Sequence, residues 1–149
     1  LMTDSRLVGR TAEDIFLSLL NGKGIFANRL DAPRFDGIIF DFKRKIFKVG
    51  KPPNYVQIKC RGSQKIGANS QGHSPETFRK MLTLAKNLRI PISSLYLALG
   101  FYKDSDIRKV VYYVIPFGSL RRFKGGQQYR FSVRACEEAM RKDRGITKL

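Results

Sequence analysis

The hydrophobic positions of this chain follow two periods. Ala12, Ile15, Phe16, Leu19 and Leu20 recur at i, i+3, i+4, i+7 and i+8, the stripe of a helix packed on one side. Thr11 starts this helix, with Asp14 placed as in a capping box, and Asn21-Gly22 and Gly24 end it. Ile25 to Arg29 reads as a short strand, and Asp31-Ala32-Pro33-Arg34 as a turn. From Phe35 the period drops to two. Phe35–Phe42, Ile46–Val49 and Tyr55–Cys60 read as three consecutive strands. Lys43-Arg44-Lys45 is the turn between the first two, and Lys51-Pro52-Pro53-Asn54 a stiff connector to the third. The run from Gly62 to His73 (GSQKIGANSQGH) reads as a long loop. Ser74-Pro75 opens a second helix with Phe78, Met81, Leu82, Ala85 and Leu88 on its apolar face, closed by Pro91. Ser94–Tyr102 is a buried strand and Lys103 to Asp106 a turn. Lys109–Ile115 is a strand stopped by Pro116, Ser132–Lys142 a last helix, and the remaining tail disordered.

Several polar residues break these patterns. Alternation puts Asp36 on one strand face with Ile38, Phe40 and Phe42, and Asp41 on the other. One regular strand cannot aim both aspartates at one site. Asp36 is the candidate, and Asp41 is expected to be exposed or salt-bridged. Gln57 and Lys59, two apart, point the same way among apolar neighbours. On the first helix Glu13 falls among Phe16, Leu17 and Leu20, while Asp14 and Ser18 face water. An inward carboxylate needs a cation, either an arginine or lysine partner or a metal ion. Asp36, Gln57 and Lys59 converging at the edge of a small sheet make a candidate divalent-metal hydrolytic centre. His73, the only histidine, is a secondary candidate for acid–base work, set against the ordinary solvent-facing role of a loop histidine.

Charge changes the picture most. The chain carries 29 Lys+Arg against 12 Asp+Glu, a formal net charge of +17 over 149 residues. Such a surface attracts polyanions and makes binding salt-dependent; nucleic acid is the expected partner, a membrane surface a minor alternative. Candidate contacts are Lys43, Arg44, Lys45, Arg61, Lys65, Arg121, Arg122 and Lys124, with Phe117, Phe123 and Tyr129 interleaved for base stacking. The hydrophobic share of 42% supports a real core. The pattern indicates one α/β domain over 1–149, with a core at about 11–102 and a basic extension at 103–149. Cys60 and Cys136 are too few for a disulfide framework and show no zinc spacing. No signal peptide and no bilayer-spanning run is evident, so an intracellular place, cytoplasmic or nucleoid-associated, is expected.

The order helix, three strands, helix, strand, together with Asp36 and Gln57-x-Lys59, resembles the PD-(D/E)xK nuclease superfamily, in its homing endonuclease or Holliday junction resolvase-like branches. The resemblance covers Thr11 to about Tyr102. It implies a restriction-endonuclease-like fold, a central mixed sheet flanked by helices in the order αβββαβ, with C-terminal additions. It implies a metal-dependent DNA endonuclease, site-specific or structure-specific, that uses Mg²⁺ with Mn²⁺ as a substitute and acts as a homodimer or higher oligomer. Asp36 would be the central ligand, Glu13 the second carboxylate, and the Ile58 carbonyl a further ligand. Lys59 would orient water or stabilise transition-state charge. Gln57 departs from the usual Glu or Asp and removes one negative charge, although strands of the Ile-Gln-Val-Lys kind occur in homing endonucleases. Phe35 replaces the nominal proline. A degenerate relative that binds DNA or RNA without cutting is the alternative implied by Gln57.

Overall fold

The computed structural model describes residues 5–63, 70–103 and 106–149. The chain begins with helix α1 (Ser5–Gly22), then strands β1 (Phe26–Ala32), β2 (Phe35–Phe40), β3 (Asn54–Ser63) and β4 (Ser70–His73). Helix α2 (Pro75–Asn87), β5 (Leu95–Lys103), β6 (Val111–Pro116), the short strand β7 (Lys124–Gly125), β8 (Gln128–Ser132), helix α3 (Val133–Lys142) and β9 (Thr147–Lys148) follow. Six strands form the main sheet in the order β1-β2-β3-β5-β6-β9, and β4-β8-β7 form a small second one. All pairings in the main sheet are antiparallel except β3 with β5. That parallel pair needs a crossover, which α2 supplies.

Period-2 alternation on β5 divides the core. Tyr96 and Ala98 face α1, packed with Phe16, Leu17, Leu20, Val56 and Ile58. Leu97, Leu99 and Phe101 face the other way, against Phe78, Met81 and Ala85 of α2 and Cys136 of α3. The middle of the sheet is thus covered on both sides, as a parallel pair requires.

Several expectations fail for identifiable reasons. Helix α1 begins by Ser5, so Thr11 is interior and the Thr11–Asp14 cap does not exist. Leu19 and Leu88, assigned to apolar faces, are 39% and 56% exposed. Ile46–Val49 is not a strand. Asp41, expected at the surface, is 2% exposed, and its Oδ2 accepts the N–H groups of Ile46 at 2.7 Å and Phe47 at 2.9 Å. A buried carboxylate must be bonded, and these bonds take both amides out of any ladder. Ile46 and Phe47 are instead buried as a plug in the α1-side core. The place of the missing strand is filled by β1, which pairs β2 across the Pro33-Arg34 turn, so Lys43-Arg44-Lys45 is no hairpin turn. The end of the 62–73 loop is strand β4, paired with β8. The tail is ordered: β9 pairs β6, and Leu149 exchanges both backbone hydrogen bonds with Tyr112. The sheet and core therefore continue past residue 102 into the expected extension.

Candidate active site

A glycine sets the site. A Cβ on Gly37 would lie 3.1 Å from the Leu17 side chain and 3.2 Å from Val56. Its absence lets α1 lie close on β2. Glu13 is one turn before Leu17, which brings its carboxylate over Asp36, the residue preceding Gly37.

Asp36 stands where the β2–β3 ladder stops, beyond the Gly37–Val56 pair. Its Oδ2 accepts the Ile58 N–H at 2.7 Å. Burial, and then the hydrogen bond and negative charge of the adjacent Glu13 carboxylate, push Asp36 up to about 6, against the pull of the Ile58 amide and the Lys59 ammonium. Two carboxyl groups in hydrogen-bonding contact hold either a proton or a cation between them. Gln57 is 5% exposed, and its buried Oε1 has no hydrogen-bond partner among the described residues. Lys59, two residues on, faces this group closely enough for its charge to act on Asp36. The structure thus brings Glu13, Asp36 and Lys59 together, with Gln57 on the same strand.

Arg29 was not singled out from the sequence. Its Nη1 donates to Glu13 Oε2 at 2.5 Å, and its Nη2 donates to Asp14. The inward glutamate therefore has an arginine partner as well as the neighbouring Asp36. The signal was the need of Glu13 for a cation; which arginine answers it depends on the β1–β2 pairing.

His73 lies at the end of β4, half-buried. Its ring Nε2 is 2.9 Å from Gln71 Oε1, and Gln71 Nε2 donates to the Gly100 carbonyl at 3.1 Å. That second bond fixes the amide orientation, so His73 carries its proton on Nε2. Burial first, then the charges of Lys59 and Arg61, lower its pKa to about 4. A neutral imidazole beside the candidate lysine is the result.

The candidate nucleic-acid contacts divide. Lys43, Arg44, Lys45, Arg61, Arg121, Arg122 and Lys124 are exposed; Arg122 is held by Asp143, 3.1 Å from Nε to Oδ2. Lys65 lies outside the described residues. The proposed stacking aromatics fail: Phe117 and Phe123 are 8% and 4% exposed, and Tyr129 packs edge-on against Phe78 at 4.9 Å. They belong to the core.

Among the described residues no group of three or more His, Cys, Asp and Glu side chains gathers to hold a metal. The chemistry of the donors present still fits a hard divalent cation: two adjacent carboxylates and one orphaned amide oxygen. Glu13, Asp36 and Gln57 are the side chains that would hold it.

A helix over an antiparallel unit of three strands, then a crossover helix and a parallel strand, with a carboxylate where the ladder parts, is the arrangement of the restriction-endonuclease-like fold. The chain is similar to Archaeoglobus fulgidus Hjc, a Holliday junction resolvase from an archaeal hyperthermophile, with a TM-score of 0.50. The likeness covers 85% of this chain and 90% of that one at 13% identity. No protein-family model and no curated protein matches the sequence.

Proposed function

We propose that this chain is a divalent-metal-dependent DNA endonuclease that acts on branched DNA. The observation that carries the reading is the Glu13–Asp36 carboxyl pair within reach of the Lys59 charge, with Gln57, whose buried oxygen has no partner among the described residues, two positions before Lys59 on β3. A structural ion pair would need neither a second carboxylate at Asp36 nor a buried amide oxygen left open. Phosphodiester hydrolysis needs an activated water and neutralised charge at the phosphoryl centre, and Mg²⁺, or Mn²⁺ in its place, supplies both when bound. Glu13, Asp36, Gln57 and the Ile58 carbonyl would hold the ion. Lys59 places its ammonium on the attacked phosphate or on the attacking water. Branched DNA is favoured over a specific duplex sequence by the likeness to a junction resolvase; the charge of +17 suits either. Symmetric cutting of two strands calls for a homodimer.

A second reading has its own observation. Arg29 already neutralises Glu13, and Gln57 brings no charge, so the chain would bind nucleic acid without cutting. A cleavage panel separates the two: a four-way junction, supercoiled plasmid and linear duplex, each in Mg²⁺ and in chelator. The nuclease reading expects junction cutting that needs the metal and is abolished in Lys59→Ala, with DNA affinity nearly unchanged. Cutting that survives Lys59→Ala would remove the site assignment. Tight binding with no cutting of any substrate supports the binding-only reading. Metal-dependent cutting of the duplexes in preference to the junction would move the substrate to the site-specific class.

A further inference from the structure

The aromatics first considered for base stacking are buried, but three others are not absorbed by the core. Phe26 begins β1, Phe40 ends β2 directly opposite it, and Phe42 follows in the turn. Phe26 is 57% exposed and Phe42 is 76% exposed. The rings are contiguous: Phe26 and Phe40 meet edge-to-face at 5.7 Å, Phe40 and Phe42 tilt at 6.0 Å. Beside them lies a hollow of about 390 Å³ lined by Lys23, Lys43 and Lys45 along with Phe40 and Phe42. The acidic residue in its wall, Asp41, turns its carboxylate inward to the Ile46 and Phe47 amides. The hollow therefore presents three ammonium groups beside an exposed aromatic cluster.

Exposed phenylalanines are costly in water and mark a surface with a partner. The lysine rim decides which. A second copy docked here patch to patch would set Lys23, Lys43 and Lys45 against the same three lysines; the homodimer that symmetric cutting calls for would use another face. Aromatic faces beside a cationic groove are the chemistry of unpaired nucleic acid, the bases stacking on the rings and the phosphates running along the lysines. Duplex bases are already stacked and have no face to offer.

We propose that Phe26, Phe40 and Phe42 form a stacking platform for unpaired nucleobases, with Lys23, Lys43 and Lys45 holding the adjoining phosphates. Phe40 lies four residues along β2 from Asp36, about 13 Å at ~3.3 Å per residue. An unpaired strand spans that distance with only a few nucleotides, so one strand can reach both places. The surface also gives a physical basis for preferring DNA with opened or branched segments to uninterrupted duplex. The proposal goes beyond the nuclease reading and does not depend on it, since binding is read without cleavage.

The test is fluorescence anisotropy in chelator with a short labelled oligothymidine and with a duplex of the same length. The wild type is compared with Phe42→Ala, Phe42→Tyr and the double variant Phe26→Ala/Phe42→Ala, each checked for native circular dichroism and sedimentation. Base–aromatic stacking energies predict that the double variant loses about tenfold or more in single-strand affinity. Duplex affinity stays within about twofold by the same reasoning, and Phe42→Tyr binds like the wild type because its ring face is kept. A 5-iodouracil in the single strand should photocrosslink to Phe42 or Phe26. Equal losses for single strand and duplex, or no loss for either, would overturn the proposal. So would a change in oligomeric state in the double variant, which would make the patch a contact between copies. Running the assay on Lys59→Ala as well keeps this outcome distinct from a failure of the nuclease reading.

Discussion

At the scale of single residues, two titrating groups next to the site oppose each other. His73 is held down to about 4 when folded, against 6.5 for a free histidine. The unfolded chain then binds the extra proton between those values, so this contribution is complete above pH 6.5 and is lost as pH falls toward 4. It amounts to at most about 3 kcal/mol. Asp36 does the reverse. It is raised from 3.8 to about 6, so its protonated form stabilises the fold at low pH, and that contribution is lost as pH rises through 6. The two nearly cancel in the wild type without metal. In His73→Gln, stability in chelator should fall as pH rises from 4 to 6. In Asp36→Asn it should rise across the same range. Thermal melts at each pH check this, and parallel profiles for the two variants would show that the groups do not titrate as described.

At the scale of elements, the loop between β2 and β3 is the informative case. Its alternation looked like a strand because Ile46 and Phe47 are apolar and buried. What fixes it is a carboxylate that alternation alone sent to the surface. Asp41→Ala would leave two buried amides without acceptors and should lower stability by about 3 kcal/mol; chemical denaturation measures it, and a loss under about 0.5 kcal/mol would show that the loop is held by its side chains alone. The elements legible in the sequence were those whose pattern is self-sufficient: α2 with its Ser74-Pro75 start, and β5, apolar on both faces. Glu13 and Asp36 were legible because a carboxylate among apolar neighbours asks for an explanation. Arg29 and the Gln71–His73 pair were not, because their roles exist only once β1 lies against β2 and β4 against β8. The tail was lost for the same reason. Two residues of β9 carry no period of their own, and only the waiting edge of β6 orders them.

At the scale of the whole molecule, a net charge of +17 means that binding to a polyanion should weaken steeply with salt. Each arginine that neutralises a phosphate contributes about 0.9 to the slope of log K against log salt. Arg121 has an exposed side chain, whereas Arg122 is engaged by Asp143. Arg121→Ala should therefore reduce the slope by about 0.9, and Arg122→Ala by less. Filter binding over a salt series decides this, and an unchanged slope in Arg121→Ala would place that surface off the DNA. The fold adds the constraint that β1 to β3 present Asp36, Gln57 and Lys59 at one end of β2 and the exposed phenylalanines at the other.

The central claim is that Glu13, Asp36 and Gln57 form a cation site, and it is tested most directly by titrating Mn²⁺ into the DNA-free protein by calorimetry. The wild type should bind, Asp36→Asn should lose at least about tenfold in affinity, and Gln57→Glu, which restores a third carboxylate, should bind more tightly. Equal Mn²⁺ affinity in the wild type and Asp36→Asn would contradict the account, leaving the carboxyl pair as a buried ion-pair network with Arg29.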